Sequence, residues 1–325
     1  MSSAKPVCSL SLDLDNQWSY MKTHGDAGWD TFPSYLDLVV PRFLRILDDF
    51  GWKITVFMVG QDAALKKNQE ALQMIAAAGH EIGNHSFHHE PWLHLYSEHQ
   101  TKEEIVRAAE SIENVTGQSP KGFRGPGYSV SRVTIEVLAD LGYVFDASTF
   151  PTFLGPLARA YYFLTSDFAK KDKEQRKALF GGLRDGLRPV RPYLWNLRDE
   201  GLLEIPVTTM PPFKLPFHFS YLLYIGTFSA TLAVLYFKSA LRMCQLSGTE
   251  PSLLLHPLDF LGGDDVSELA FFPAMKMAGA QKLALMDRFL RILSSRYSVL
   301  QLGAHAGELL KMSHLKVRSP NDLDR

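Results

Sequence analysis

Short apolar runs alternate along this chain with segments whose apolar residues recur at helical spacing. Val7 to Leu14 reads as a strand, Pro41 to Phe50 as a helix stopped by Gly51, and Ile54 to Val59, rich in β-branched residues, as a second strand. The pattern continues with a helix over Gln69 to Ala78 before Gly79, a strand over Glu81 to His85, a helix over Glu103 to Val115 and a strand over Lys121 to Arg124. Val133 to Leu141 then reads as a helix closed by Gly142, and Tyr143 to Asp146 as a fifth strand. Further strands are predicted near Leu203 to Val207, Ser252 to His256 and Val299 to Leu302, with a helix over Gln281 to Ser295. Such alternation predicts an α/β fold with a parallel sheet covered by helices. Seven or eight strands predict one barrel domain over residues 1–316, leaving 317–325 as a tail.

Two segments interrupt the alternation. Residues 152–198 read as a basic helical insertion in which Lys170, Lys171, Lys173, Arg176 and Lys177 form a solvated face. Residues 217–247 read as an apolar helical segment, and Phe219 to Phe237 carries no formal charge over nineteen residues. That length suffices to span a bilayer. A span would put His256 across the membrane from Asp15 and open the barrel, so a helix buried in the barrel wall or in a subunit interface is expected. A helix lying in the membrane interface is the second expectation.

Composition narrows the classes. A chain of 325 residues with 46% apolar content can bury a large core. A formal net charge of −1 and a pI near 6.8 give no sign of a nucleic-acid partner. The only cysteines are Cys8 and Cys244, so no disulfide framework is expected, which suits a reducing compartment. The polar start, Met1 to Pro6, leads straight into a strand and lacks the apolar region of a signal peptide. A cytoplasmic location is therefore expected, with peripheral contact to the inner membrane as a further expectation.

Three stretches carry chemistry: Asp13-Leu14-Asp15, His85-Ser86-Phe87-His88-His89 and Arg124-Gly125-Pro126-Gly127-Tyr128. Alternate residues of a strand share a side, so Asp13 and Asp15 are expected to face one pocket. Residues four apart share a face in a helix or a strand, which pairs His85 with His89 and leaves His88 as the rival. One carboxylate and two imidazoles, Asp15, His85 and His89, suit zinc with a position open for water. Asp13 is then the expected general base, held by a bidentate pair with Arg124. The stiff turn after Arg124 offers the amide of Gly127 or Tyr128 to a developing oxyanion. His256, ending an apolar strand, is the expected proton donor to a leaving amine. Trp18 offers a face on which a sugar stacks, and Asp146 a second partner for Arg124. His80, His94 and His99 read as surface or loop histidines.

These motifs resemble the polysaccharide deacetylases that share the rhizobial chitooligosaccharide deacetylase domain, carbohydrate esterase family four. Asp13 and Asp15 match that family's base and metal-binding aspartates, and the spacing by Leu14 resembles a branch of peptidoglycan deacetylases and of deformylases of lipid-linked amino-arabinose. His85 to His89 match its His-Ser/Thr-x-x-His motif, and Leu253 to His256 its Leu-x-x-His motif. Arg-x-Pro-Tyr is matched at Arg124 and Pro126, with Gly127 standing before Tyr128. The fourth motif, an Asp with a downstream Trp, has no clean counterpart. The resemblance implies a distorted seven-stranded (β/α)7 barrel and zinc-dependent hydrolysis of an N-acetyl or N-acyl group on an amino sugar. The expected partner is a carbohydrate or lipid-linked sugar substrate, and a homo-oligomer is expected. The alternatives are a deformylase or deacetylase of a lipid-linked amino sugar, a metal-independent amidohydrolase, a non-haem iron enzyme using the same ligand set, and a sugar-binding module without turnover.

Overall fold

The computed structural model describes residues 5–155, 183–197, 201–312 and 314–323. The basic cluster from Lys170 to Lys177 lies outside the described residues. Twelve strands are described: β1 (Val7–Asp13), β2 (Thr55–Met58), β3 (Glu81–Asn84), β4 (Gly122–Phe123), β5 (Phe145–Asp146), β6 (Tyr193–Trp195), β7 (Leu202–Glu204), β8 (Thr209–Met210), β9 (Leu215–Pro216), β10 (Ser252–Leu255), β11 (Ser298–Leu300) and β12 (Lys316–Arg318). Among the described residues the helices are α1 (Gln17–His24), α2 (Leu36–Asp49), α3 (Gly60–Ala64), α4 (Gln69–Ala77), α5 (Glu98–Thr116), α6 (Arg132–Asp140), α7 (Phe219–Phe228), α8 (Ala230–Ser247), α9 (Gly279–Arg296) and α10 (Leu302–Leu309).

The main sheet runs β10-β1-β2-β3-β4-β5-β7-β6-β12, with β11 also paired to β1. All of its pairs are parallel except β6 with β7. It curls into the expected distorted barrel. At the seam Thr208 N–H donates to the Ser252 carbonyl at 2.9 Å, and Ser252 N–H donates to Thr208 Oγ1 at 2.8 Å.

The alternation along β1 separates the two faces of the sheet. Cys8, Leu10, Leu12 and Leu14 belong to the apolar layer between sheet and helices, which contains both free cysteines. Ser9, Ser11 and Asp13 point the other way, into the barrel, and are buried there. The interior is filled by Phe57, Phe145, Leu203 and Ile205, with Leu302, Ala306 and Leu309 of α10 packed against them. Gly83 and Gly122 make room for the rings, since a Cβ at either would meet Phe57 at 2.4 Å or Phe145 at 2.0 Å.

Departures from the sequence reading have local causes. Helix α2 begins at Leu36, so Pro41 lies inside it rather than opening it. Helix α5 begins earlier than its apolar period suggests, because Ser97 and Gln100 form a capping box. Helices α1, α3 and α10 went unpredicted: α1 buries the consecutive Trp18, Ser19 and Tyr20, α3 is five residues long, and α10 contains Gly303 and Gly307. The uncharged stretch after Phe219 is two helices, broken at Ser229, whose side chain caps α8. Among the described residues no helix is long and apolar enough to cross a membrane. Within the predicted tail, Val317 and Arg318 belong to β12 and pair with β6.

Asp146 and Glu204, register partners across β5 and β7, are both fully buried. Burial raises both carboxyls, and the neighbouring Asp146 pushes Glu204 well above the usual carboxylate range. An acid raised in the fold destabilises it as pH rises through the unfolded value of about 4.3 toward the folded one. The stability difference between wild type and Glu204→Gln is therefore expected to shift in favour of Gln from about pH 4 to pH 7. Urea midpoints across that range test it, and a pH-independent difference would refute it.

Candidate active site and metal centre

Five strand ends deliver the candidate side chains to one rim. Asp13 closes β1, His85 follows β3, Arg124 follows β4, Asp146 closes β5 and His256 follows β10. Asp15 lies beyond β1 in the turn before α1, where Tyr35 hydroxyl donates to its backbone carbonyl at 2.5 Å. His85 and His89 meet neither in a helix nor in a strand. The loop turns between them through left-handed residues, Ser86 at φ 61° and His89 at φ 53°.

Asp15, His85 and His89 are all buried, and their ligand atoms lie within 4.8 Å of one another. Asp15 Oδ1 stands 2.9 Å from His89 Nε2 and 3.3 Å from His85 Nε2. Ligands about 2.1 Å from a tetrahedral zinc ion stand roughly 3.4 Å apart, so this set fits such an ion with little movement. His85 Nδ1 donates to the Arg124 carbonyl at 2.6 Å, which leaves Nε2 as the ligating nitrogen. Burial alone would push Asp15 up, but His89 and His85 hold it well below the usual carboxylate range. Burial lowers His85, yet Asp13 and Asp15 together raise it. The field that draws a proton onto His85 is one that also favours a cation.

Arg124 is fully buried. It reaches Asp13 Oδ1 through one nitrogen at 2.7 Å, so the expected bidentate pair is not made. The same nitrogen donates to Ser11 Oγ at 2.8 Å, and Nε donates to the Ala147 carbonyl at 2.9 Å. Geometry explains the change: three acceptors on β1 and beyond β5 share the fork, and the guanidinium lies 4.4 Å from the Phe57 ring centre.

The turn after Arg124 corrects a second expectation. Tyr128 N–H donates to the Gly125 carbonyl at 3.0 Å, so that amide is already engaged. Gly127, exposed and at φ 58°, remains the oxyanion candidate of the pair. The Tyr128 ring stacks on Phe150 at 4.6 Å, and its hydroxyl lies 3.5 Å from His218 Nε2.

Trp18 and Asp146 do not take their expected places. Trp18 is 1% exposed, so no sugar reaches its faces; it packs edge-on against His89 and donates to Asp62 Oδ1 at 3.0 Å. Asp146 accepts from Ser148 Oγ at 2.6 Å and makes no hydrogen bond to Arg124. Ser148 in turn accepts from Gly125 N–H at 2.8 Å, so Asp146 supports the turn from behind. Of the three histidines read as peripheral, His80 is buried, accepts from Ile54 N–H, and is lowered to about 4 by burial. His94 bonds Ser129, and His99 is exposed.

His256 Nδ1 lies 3.0 Å from Ser220 Oγ, and its backbone N–H donates to Asp259 Oδ2 at 2.8 Å. Buried Lys282 anchors this turn by donating to the Leu258 and Leu261 carbonyls at 2.9 and 2.6 Å, and burial lowers it to about 8. His218 packs 5.7 Å from His256, and burial, His256 and Arg124 hold it well below its usual value.

The sequence reading missed Ser220, Asp259, Lys282, His218 and Glu104. Only Asp259 carried a signal, as an acid three residues after His256 at a helical start. Glu104 accepts from Phe87 N–H and His88 N–H, each at 3.0 Å, and pairs with His88 Nδ1. That pairing fixes His88 away from the cluster and holds the loop that carries His85 and His89.

Residues 25–145 match the polysaccharide deacetylase family. A peptidoglycan deacetylase of Helicobacter pylori is 27% identical over 166 residues, which is 49% of this chain and 54% of that protein. A peptidoglycan-N-acetylglucosamine deacetylase of Bacillus cereus is 33% identical over 97 residues, 30% of this chain and 34% of that one. The chain thus spans about half or less of the length of the curated relatives it matches. A crystal structure from Mycobacterium smegmatis assigned as a polysaccharide deacetylase superposes over 98% of this chain and 96% of its own, with a TM-score of 0.63 and 20% identity. One from Pseudomonas aeruginosa covers 95% and 92%, with a TM-score of 0.58 and 19% identity. The fold is that of these proteins.

Replacing Glu104 by Ala frees the histidine loop, and zinc affinity is expected to fall about 10–100-fold. Competition with a chromogenic chelator measures it; undiminished affinity would remove Glu104 from the support of the site.

Proposed function

We propose that this chain, matched over residues 25–145 by the polysaccharide deacetylase family, is a metal-dependent hydrolase that removes an N-acetyl group from an amino sugar. The observation that carries the reading is the convergence of Asp15, His85 and His89 beside the Asp13–Arg124 pair. The donor set of one carboxylate and two imidazoles favours zinc among divalent ions. A cation held there supplies a Lewis acid for the acyl oxygen and lowers the pKa of a water molecule.

The chain's own groups supply the rest. Asp13 accepts the proton of the attacking water, and Arg124 keeps that carboxylate oriented while bonded on its far side to the Ala147 carbonyl. The Gly127 amide is the donor available for the developing oxyanion. As the bond from carbonyl carbon to nitrogen breaks, His256 gives a proton to the amine from Nε2, because Ser220 engages Nδ1. Acetate and a free amino sugar leave. The stacked Tyr128 and Phe150 take the aromatic role first assigned to Trp18, since Tyr128 is only partly buried. The substrate is an acetylated amino sugar of a polysaccharide or glycan precursor.

Asp13→Asn is expected to lower acetate release from an N-acetylglucosamine oligosaccharide by about 10²–10⁴-fold while zinc content stays unchanged. Zinc lost together with activity would reassign Asp13 to the metal. Chelation is expected to abolish acetate release by the wild type and added zinc to restore it; release that persists without metal would refute the reading.

A further inference from the structure

Helices α7 and α8 form a hairpin whose corner presents apolar side chains to solvent. Phe228 is 75% exposed, Leu232 55% and Leu235 56%, and Tyr224 packs edge-on against Phe228 at 5.4 Å. The exposure continues along one stripe of α8 through Lys238, Ser239 and Arg242 to Leu246, which is 65% exposed. The opposite face, with Ala233, Val234, Phe237, Ala240, Leu241 and Cys244, is buried in the core. Folding of the barrel therefore does not require the outer stripe to be apolar.

Charge identifies what meets it. No Asp or Glu occurs between Lys214 and Glu250. Lys238 and Arg242 are exposed and form no ion pair among the described residues. Arg296 of α9 bonds the Lys238 carbonyl at 3.1 Å and adds a third cation. A two-fold contact between copies of this chain would set these cations together with no acid from the hairpin to meet them. An anionic lipid surface takes both features, accepting the apolar corner among its acyl chains and the cations at its headgroups.

We infer that the exposed face of the α7–α8 hairpin seats on an anionic lipid surface. Helix α7 carries Ser220, the partner of His256, in its first turn and ends at the exposed Phe228, about 12 Å away along the axis. Seating the corner thus holds the catalytic rim close to the membrane, where a sugar carried on a lipid is presented.

Cosedimentation of the full chain with vesicles of phosphatidylglycerol and phosphatidylcholine, against phosphatidylcholine alone, tests the inference. Binding is expected for the anionic vesicles. It is expected to fall about fivefold for each of Lys238→Gln and Arg242→Gln, and at least about tenfold for Phe228, Leu232 and Leu235 all changed to Ser. No binding to anionic vesicles, equal binding to neutral ones, or undiminished binding by the variants would overturn it. Light scattering that shows a dimer which the triple variant dissociates would assign the face to a second copy instead. Acetate release from a soluble oligosaccharide by the same samples reports the hydrolase reading separately, since none of these residues touches the site.

Discussion

One buried guanidinium organises the rim of this barrel. Arg124 joins Ser11 and Asp13 of β1 to the Ala147 carbonyl beyond β5, while its own carbonyl orients His85. Taking such a charge out of water costs several kcal/mol unless its donors are met. Here a carboxylate and a hydroxyl meet Nη1 and a carbonyl meets Nε, and the Phe57 ring lies against the guanidinium, while Nη2 has no hydrogen-bond partner among the described residues. The arrangement couples the proposed base and one proposed metal ligand through a single side chain. A small shift of β4 would therefore disturb both.

The same pair leaves an electrostatic surplus. Asp13 and Asp15 place two carboxylates in the pocket against one guanidinium. The surplus is balanced by protons on the imidazoles or by a cation between them. The raised His85 is one expression of this imbalance. Asp15 bonds His89 directly, and an acid converging with two imidazoles is also the donor set that a divalent ion takes.

Much of this was legible because strand ends follow from period and punctuation. Asp13, Asp15, His85, Arg124, Asp146 and His256 all fall at or just after strand ends predicted from the sequence, and the structure brings Asp15, His85 and His89 together. The reasoning was weaker than the outcome: His85 and His89 converge through a left-handed loop, not by sharing a face of a regular element. What stayed hidden depends on contacts distant in sequence. Glu104 reaches back seventeen residues to Phe87, Ser220 lies thirty-six from His256, and Lys282 twenty-four from Leu258. No local pattern marks a side chain whose role is to satisfy someone else's backbone. Trp18 shows the converse error, because an aromatic beside a motif reads the same whether it faces a sugar or, as here, backs a ligand.

The hairpin of α7 and α8 shows why composition alone misjudges an apolar stretch. Its nineteen uncharged residues have the length of a span, yet Ser229 interrupts them and its hydroxyl satisfies an amide of α8. A break of this kind inside hydrocarbon would leave backbone groups unmet; at a protein surface they are met by the cap. Phe219, Leu222, Leu223, Ala233, Val234 and Phe237 then serve the core while Tyr224, Phe228, Leu232 and Leu235 face outward, so one hydropathy sum describes two different surfaces. The inner set is explained by the Phe217, Phe219, Phe237 and Phe289 cluster. The outer set has no such account within the chain, and its pairing with cations rather than acids is what favours lipid over protein as its counterpart.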